Sequence, residues 1–395
     1  MKTKKNVYGQ IVLLVTLLGA CSKLDMELPI EACTSPGQIN LNHPKANSLR
    51  QKLDQIVDLG IPGVVMAIRD IEGTWASASG LSKLETKTPM EICHLQFGQS
   101  VAKMYMATAI LMLYEDGLID LDEKITTYLP GSITRGIENT DQATVRMLLN
   151  HTSGIAEYND KPNYVTYLLQ HPLHTFNVND YLDYTRGASA KFSPGEKYSY
   201  TNTNYILLAL IADEITGDHK RFIQHEILTA FALNDTYYHD QGFMEEPTLV
   251  NTYWDRYSNG KIENCSAMHR TNVGSLIGDD GIIATPVDFI SFLELLLTHQ
   301  ILEESTMEDM LHFVEEEPNR PGGYGLGMSQ EFYKGHERNG HTGGGIGAAC
   351  ELGYFKDSDT YFFIGMNLGS SITPAPSIVD PFERILDEIY DIILE

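Results

Sequence analysis

The chain has 395 residues, with 53 acidic against 28 basic side chains and a formal charge of −25 at neutral pH. A field of that sign repels phosphate backbones and anionic lipid headgroups, which argues against nucleic acid as a partner and against a basic membrane-binding patch. Five cysteines and thirteen histidines are scattered without HExxH or any other metal-ligand spacing, so neither a metal nor a cofactor is implied.

Lys2, Lys4 and Lys5 precede an apolar run, Ile11 to Leu18, that ends in Leu18-Gly19-Ala20-Cys21. This reads as a signal peptide over residues 1–20. The run is too short to stay in a bilayer as a spanning helix, and small residues directly before a cysteine resemble the site cut by the lipoprotein signal peptidase. Cys21 is then expected to carry lipid, giving an exported protein of the bacterial cell envelope that meets the membrane through that lipid only. Loss of residues 1–20 removes three lysines and no acid, leaving a charge of −28. Residues 21–45 contain Pro29, Pro36 and Pro44 and keep no period, so they are expected to form a tether reaching roughly 25 to 30 Å. Residues 46–395 show no further linker or repeat and read as one catalytic unit. A chain of this length can bury a large core without staples, so Cys33, Cys93, Cys265 and Cys350 are expected to be buried thiols.

Gly63 to Ile68 and Thr74 to Ser79 are β-type runs separated by a turn signal at Asp70 to Gly73, which predicts a hairpin. Val101 to Tyr114 is rich in Ala, Met and Leu and ends before Asp116-Gly117, which predicts a helix with Ser100 at its N-terminus. Further helices are expected over Asn204 to Ile215, stopped by Gly217, over Pro286 to Leu297, and over Ile378 to Leu394. Ala348 to Phe355 and Thr360 to Met366 read as strands. Strands at both ends with helices between them predict an α+β protein whose sheet joins the N- and C-terminal segments.

Chemistry enters at Ser100-Val101-Ala102-Lys103. Residues three apart lie on one helix face, so the lysine amine can reach the serine hydroxyl. A serine is a poor nucleophile near neutral pH, and a basic amine beside it can take its proton while the helix N-terminus favours a developing oxyanion. The pair is common by chance and needs company. Tyr200-Thr201-Asn202 follows a Pro194-Gly195 turn and could add a proton shuttle and a substrate-binding amide. His341-Thr342-Gly343, with Gly344 and Gly345, offers backbone that a substrate could approach closely and a bare N–H for an oxyanion hole.

These triplets, in this order, resemble the SxxK, YxN and K/HxG elements of the penicillin-recognising serine hydrolases: class C β-lactamases, serine DD-peptidases, D-aminopeptidases and related esterases. The likeness extends to Phe97-Gly98-Gln99-Ser100, to Gly117-Leu118-Ile119-Asp120-Leu121 with Tyr128-Leu129-Pro130, to Leu148 through Gly154, and to Gly281 through Asp288. The resemblance implies an antiparallel sheet flanked by helices, an inserted mainly helical lobe, and a site in the groove between. It implies acyl transfer through Ser100, proton traffic shared by Lys103 and Tyr200, and an oxyanion hole at the N–H groups of Ser100 and Gly344. Asn202, His341, Thr342 and Gly343 would bind substrate, a small peptide, β-lactam or ester. Oligomeric state is not legible.

Histidine at position 341 is the informative departure, because class C β-lactamases carry lysine there. An imidazole is charged only in part near neutral pH, which favours a DD-peptidase-like amidase on D-amino-acid peptides over an efficient β-lactamase, with an esterase close behind. Two rival readings remain. Gly98-Gln99-Ser100-Val101-Ala102 approximates the GxSxG elbow of an α/β-hydrolase but lacks its final glycine. A catalytically silent protein that binds cell-wall peptides or scaffolds partners would not need every catalytic position filled.

Overall fold

The computed structural model describes residues 39–239, 248–369 and 376–395; the expected signal peptide, Cys21 and Cys33 lie outside them. In chain order the elements that position the site are α1 (Ala46–Asp58), β1 (Gly63–Asp70), β2 (Gly73–Lys83), β3 (Thr88–Pro89), α2 (Ala102–Glu115), α3 (Pro162–Gln170), α4 (Asn202–Thr216), α5 (Ser266–Ser275), α6 (Pro286–Leu297), β4 (Gly323–Tyr324), β5 (Ser329–Tyr333), β6 (His336–Gly344), β7 (Ala349–Phe355), β8 (Thr360–Met366) and α7 (Pro376–Leu394). The eight strands form one antiparallel sheet in the order β3-β2-β1-β8-β7-β6-β5-β4. The expected α+β architecture, with first and last strands joined, is what the chain adopts. An antiparallel sheet also removes the α/β-hydrolase reading, whose strands are mostly parallel.

The sheet is buried on both faces because β1 is apolar at nearly every position. Successive side chains of a strand point to opposite faces. Val65 and Ala67 therefore join the large core under α2, α4 and α6, while Val64, Met66 and Ile68 face the other way. There they meet Leu49, Leu53 and Ile56 of α1 and Ile385, Ile389 and Ile393 of α7. The helical lobe that enters between β3 and β4 packs on the first of these cores through residues such as Leu148, Ile155, Tyr181 and Ile206.

Local signals explain most boundaries. Helix α6 begins where Thr285 caps the Asp288 N–H at 3.3 Å and Pro286 fills the first position, and it spans the predicted residues. Helix α4 ends at Gly217, whose φ of +82° is open to glycine at little cost. Three expectations are corrected. Residues 39–45 are not free tether: Asn40 N–H donates to Thr74 O at 2.7 Å, and the buried His43 and Lys45 pair with Asp70 at 2.9 and 3.1 Å. The reason is the carboxylate of Asp70 at the β1–β2 turn, which gathers the incoming segment. His341, Thr342 and Gly343 lie inside strand β6 rather than before a strand, because pairing with β7 runs from Arg338↔Phe355 to Gly344↔Ala349. Cys265 and Cys350 are free and buried as expected, but Cys93 is disulfide-bonded, its partner lying outside the described residues.

Candidate active site

Ser100 stands on a single 3₁₀ turn, Gln99–Val101, that leads into α2. The residue before it is strained: Gln99 has φ +48°, a left-handed conformation that a residue with a side chain seldom adopts. Two interactions hold it there. The Gly98 N–H donates to Ile282 O at 2.9 Å, and the buried Gln99 amide donates to His269 Nε2 at 2.8 Å. Burial lowers the His269 pKa to about 3, so the ring is neutral and its Nδ1–H donates to Thr252 Oγ1 at 3.2 Å. A chain of three buried side chains thus braces the turn that presents the serine.

One helical turn on, Lys103 is fully buried, and its Nζ donates to Ser100 Oγ at 3.1 Å and to the backbone oxygen of Asp279 at 3.0 Å. Tyr200 comes from the segment just before α4, with Nζ 4.9 Å from its ring centroid. Among the described residues its buried hydroxyl makes no hydrogen bond of ordinary geometry, although Lys103 and Ser100 lie beside it. Burial raises its pKa, and the neighbouring Lys103 and Ser100 pull it back down. His151 packs its ring 4.3 Å from that of Tyr200 and accepts from the Thr201 N–H at 3.2 Å. Asn202 opens α4, and its N–H donates to the Glu157 carboxylate, which also accepts from Asn159 N–H at 2.8 Å. Burial pushes Glu157 up to about 7.

Strand β6 closes the site from the other side. A Cβ on Gly343 would fall 2.5 Å from Gly98 O, and one on Gly345 would fall 2.2 Å from Gln99 Oε1. The glycines therefore let the strand end lie directly on the turn that carries Ser100. Pairing with β5 stops at Ser329↔Gly340, so residues 341–344 are paired with β7 alone. Ser100, Tyr200, Asn202 and Gly344 open together onto a cavity of about 490 Å³, whose wall also carries Asp279, Asp280 and Tyr158.

His341 behaves differently from the expectation of a partly charged side chain facing substrate. It is buried, its Nδ1–H donates to Thr342 O at 2.6 Å, and its Nε2 accepts from the Tyr324 hydroxyl at 2.9 Å. Burial, with Lys103 nearby, lowers its pKa to about 3. Both nitrogens are committed, and the ring is not on the cavity wall; neither are Thr342, exposed on the strand, nor the buried Gly343. Sequence reasoning passed over Glu157, Asp279 and Asp280. The signal for the last two was present, since two adjacent acids directly precede the buried strand Ile282–Ala284, where carboxylates are costly.

A family model described as Beta-lactamase matches residues 49–376. Among curated proteins, penicillin-binding protein 4* of Bacillus subtilis is 25% identical over 282 residues, which cover 67% of this chain and 58% of that protein. A putative D-alanyl-D-alanine carboxypeptidase of Escherichia coli is 24% identical over 230 residues, 55% of this chain and 52% of that protein. The chain therefore spans between half and three fifths of the length of these relatives. Among solved structures, a D-stereospecific amidohydrolase from a Streptomyces species superposes with a TM-score of 0.73 at 26% identity, covering 85% of this chain and 97% of that one. D-amino acid amidase from Ochrobactrum anthropi gives a TM-score of 0.73 at 22% identity over 88% and 99% of the two chains, a likeness of fold.

Proposed function

The chain belongs to the beta-lactamase family, and from that premise we propose that it is a serine hydrolase working through an acyl-enzyme on Ser100, with D-amino-acid peptides or amides as substrates. The observation that carries this reading is the 3.1 Å contact from Lys103 Nζ to Ser100 Oγ at the wall of an open cavity. Ser100 Oγ attacks the substrate carbonyl as its proton passes to the Lys103–Tyr200 pair. The oxyanion is held by the N–H groups of Ser100 and Gly344, and Asn202 binds the substrate amide. The amine leaves with the proton, and a water molecule repeats the attack on the ester to release the acid. The names of the relatives, a D-stereospecific amidohydrolase and a putative D-alanyl-D-alanine carboxypeptidase, support D-amino-acid substrates. A fluorophosphonate probe tests the mechanism. It should label the wild type at Ser100 and leave Ser100→Ala unlabelled; a wild type that is folded but inert to the probe overturns the proposal and favours the silent binding protein.

The same reading places the protein at the cell envelope, held by lipid on Cys21. Support comes from the residues alone: basic n-region, apolar run, and small residues before the cysteine. Radiolabelled palmitate should enter the wild type and not Cys21→Ser; label in the variant rules the anchor out.

A further inference from the structure

We propose that the cavity recognises the free α-ammonium group of an amino-terminal residue, with Asp279 and Asp280 as its counter-charge, so that the bond cleaved is the amide at that residue's own carbonyl. The inference rests on the serine-hydrolase reading and narrows its substrate. Among the described residues, the cavity wall carries three carboxylates, Asp160, Asp279 and Asp280, and no lysine, arginine or histidine side chain.

Asp279 is 4% exposed; its Oδ2 accepts from the Tyr158 hydroxyl at 2.8 Å, and among the described residues its Oδ1 has no partner. Buried polar atoms are nearly always satisfied, and an orphaned carboxylate oxygen on a residue that lines the cavity leaves a place for a donor from a ligand. Asp280, 7% exposed, gives one oxygen to the Gly281 N–H at 2.7 Å. Lys103 does not neutralise the pair by direct contact, because its bonds go to Ser100 Oγ and to the Asp279 backbone. Burial, eased by Lys103, holds Asp279 at about 6, and burial with the adjacent Asp279 pushes Asp280 to about 7; a bound cation would favour the charged form of both. Tyr158 and Tyr164, ring centroids 5.2 Å apart, add aromatic surface of the kind that attracts organic cations.

The backbone of Asp279 lies beside the serine, and the cavity wall carries both residues. Lys103 Nζ bridges Ser100 Oγ at 3.1 Å and Asp279 O at 3.0 Å, so the acidic segment is two short contacts from the nucleophile. An α-nitrogen lies about 2.5 Å from its own carbonyl carbon, and that carbon must come within about 3 Å of Oγ. A substrate carboxylate in the same cavity meets like charges, and His341, neutral and not part of the cavity wall, offers it no counter-ion.

The test compares D-alanine p-nitroanilide with N-acetyl-D-alanine p-nitroanilide on wild type, Asp279→Asn and Asp280→Asn. Wild type should favour the free amine in kcat/KM by on the order of a hundredfold, and each variant should lose roughly tenfold or more of that preference, read as the ratio of the two compounds' kcat/KM in the same preparation. Fluorophosphonate labelling of Ser100 in the same preparations separates the two levels of argument. No labelling of wild type sinks the hydrolase reading. Labelled wild type that treats both compounds alike overturns ammonium recognition, whether or not either variant folds. A preference that survives in folded variants overturns the assignment to these two aspartates.

Discussion

At the scale of single residues, the reactivity proposed for Ser100 comes from its neighbours rather than from itself, with Lys103 Nζ 3.1 Å from its Oγ. Ser100→Ala should lower turnover of a D-aminoacyl anilide by about four orders of magnitude or more, with an unchanged circular-dichroism spectrum. A folded variant with near-normal turnover would end the assignment. His341 teaches the opposite lesson. Its type was legible, but its role was not, because burial is invisible in a local motif: the ring that should meet solvent instead bridges Tyr324 and the Thr342 carbonyl. Its folded pKa, about 3, lies below the ordinary 6.5, so the stability it lends is full above 6.5 and lost as pH falls toward 3. The melting-temperature gap between wild type and His341→Gln should therefore narrow steadily from pH 7 to pH 4. Imidazole NMR shifts should show the wild-type ring neutral from pH 8 to pH 5; a titration near 6.5 contradicts the buried placement.

At the scale of elements, the site is a meeting of one turn with one strand end. The register of β6 against β7 fixes Gly343 over Gly98, and glycine is needed because a backbone carbonyl occupies the place of its side chain. Gly343→Ala should cost about 1 to 3 kcal/mol in urea denaturation and remove most fluorophosphonate labelling, since a carbonyl cannot step aside. Gly345→Ala meets the end of the Gln99 side chain instead, and should lower labelling less; equal effects would mean that the strand does not bear on the turn. Helices α4 and α6 were legible nearly to the residue because Gly217, Thr285 and Pro286 are stop and start signals in themselves. Helix α1 was not. Its register of Leu49, Leu53 and Ile56 makes sense only against a sheet face whose other half, α7, lies more than 300 residues away.

At the scale of the whole molecule, the sheet separates two duties. The face under α2 carries the candidate catalytic groups, and the face under α1 and α7 carries a second apolar core with the largely buried Arg338–Glu351–Tyr390 cluster at its edge. Leu53→Ala, at a fully buried position in the second core, should destabilise the protein by about 2 to 5 kcal/mol while leaving kcat within about twofold. A large fall in kcat with little change in the urea midpoint would show that the two faces are coupled. The central pairing of β1 with β8 has a consequence for biosynthesis. Val64 must find Met366, about 300 positions later, before either core has its middle strand pair. Closing so large a loop is slow, and little of the native reward comes earlier. A ribosome-bound chain can therefore not complete this sheet until nearly every residue has been made, which leaves the polypeptide without its central strand pair for almost the whole of its synthesis.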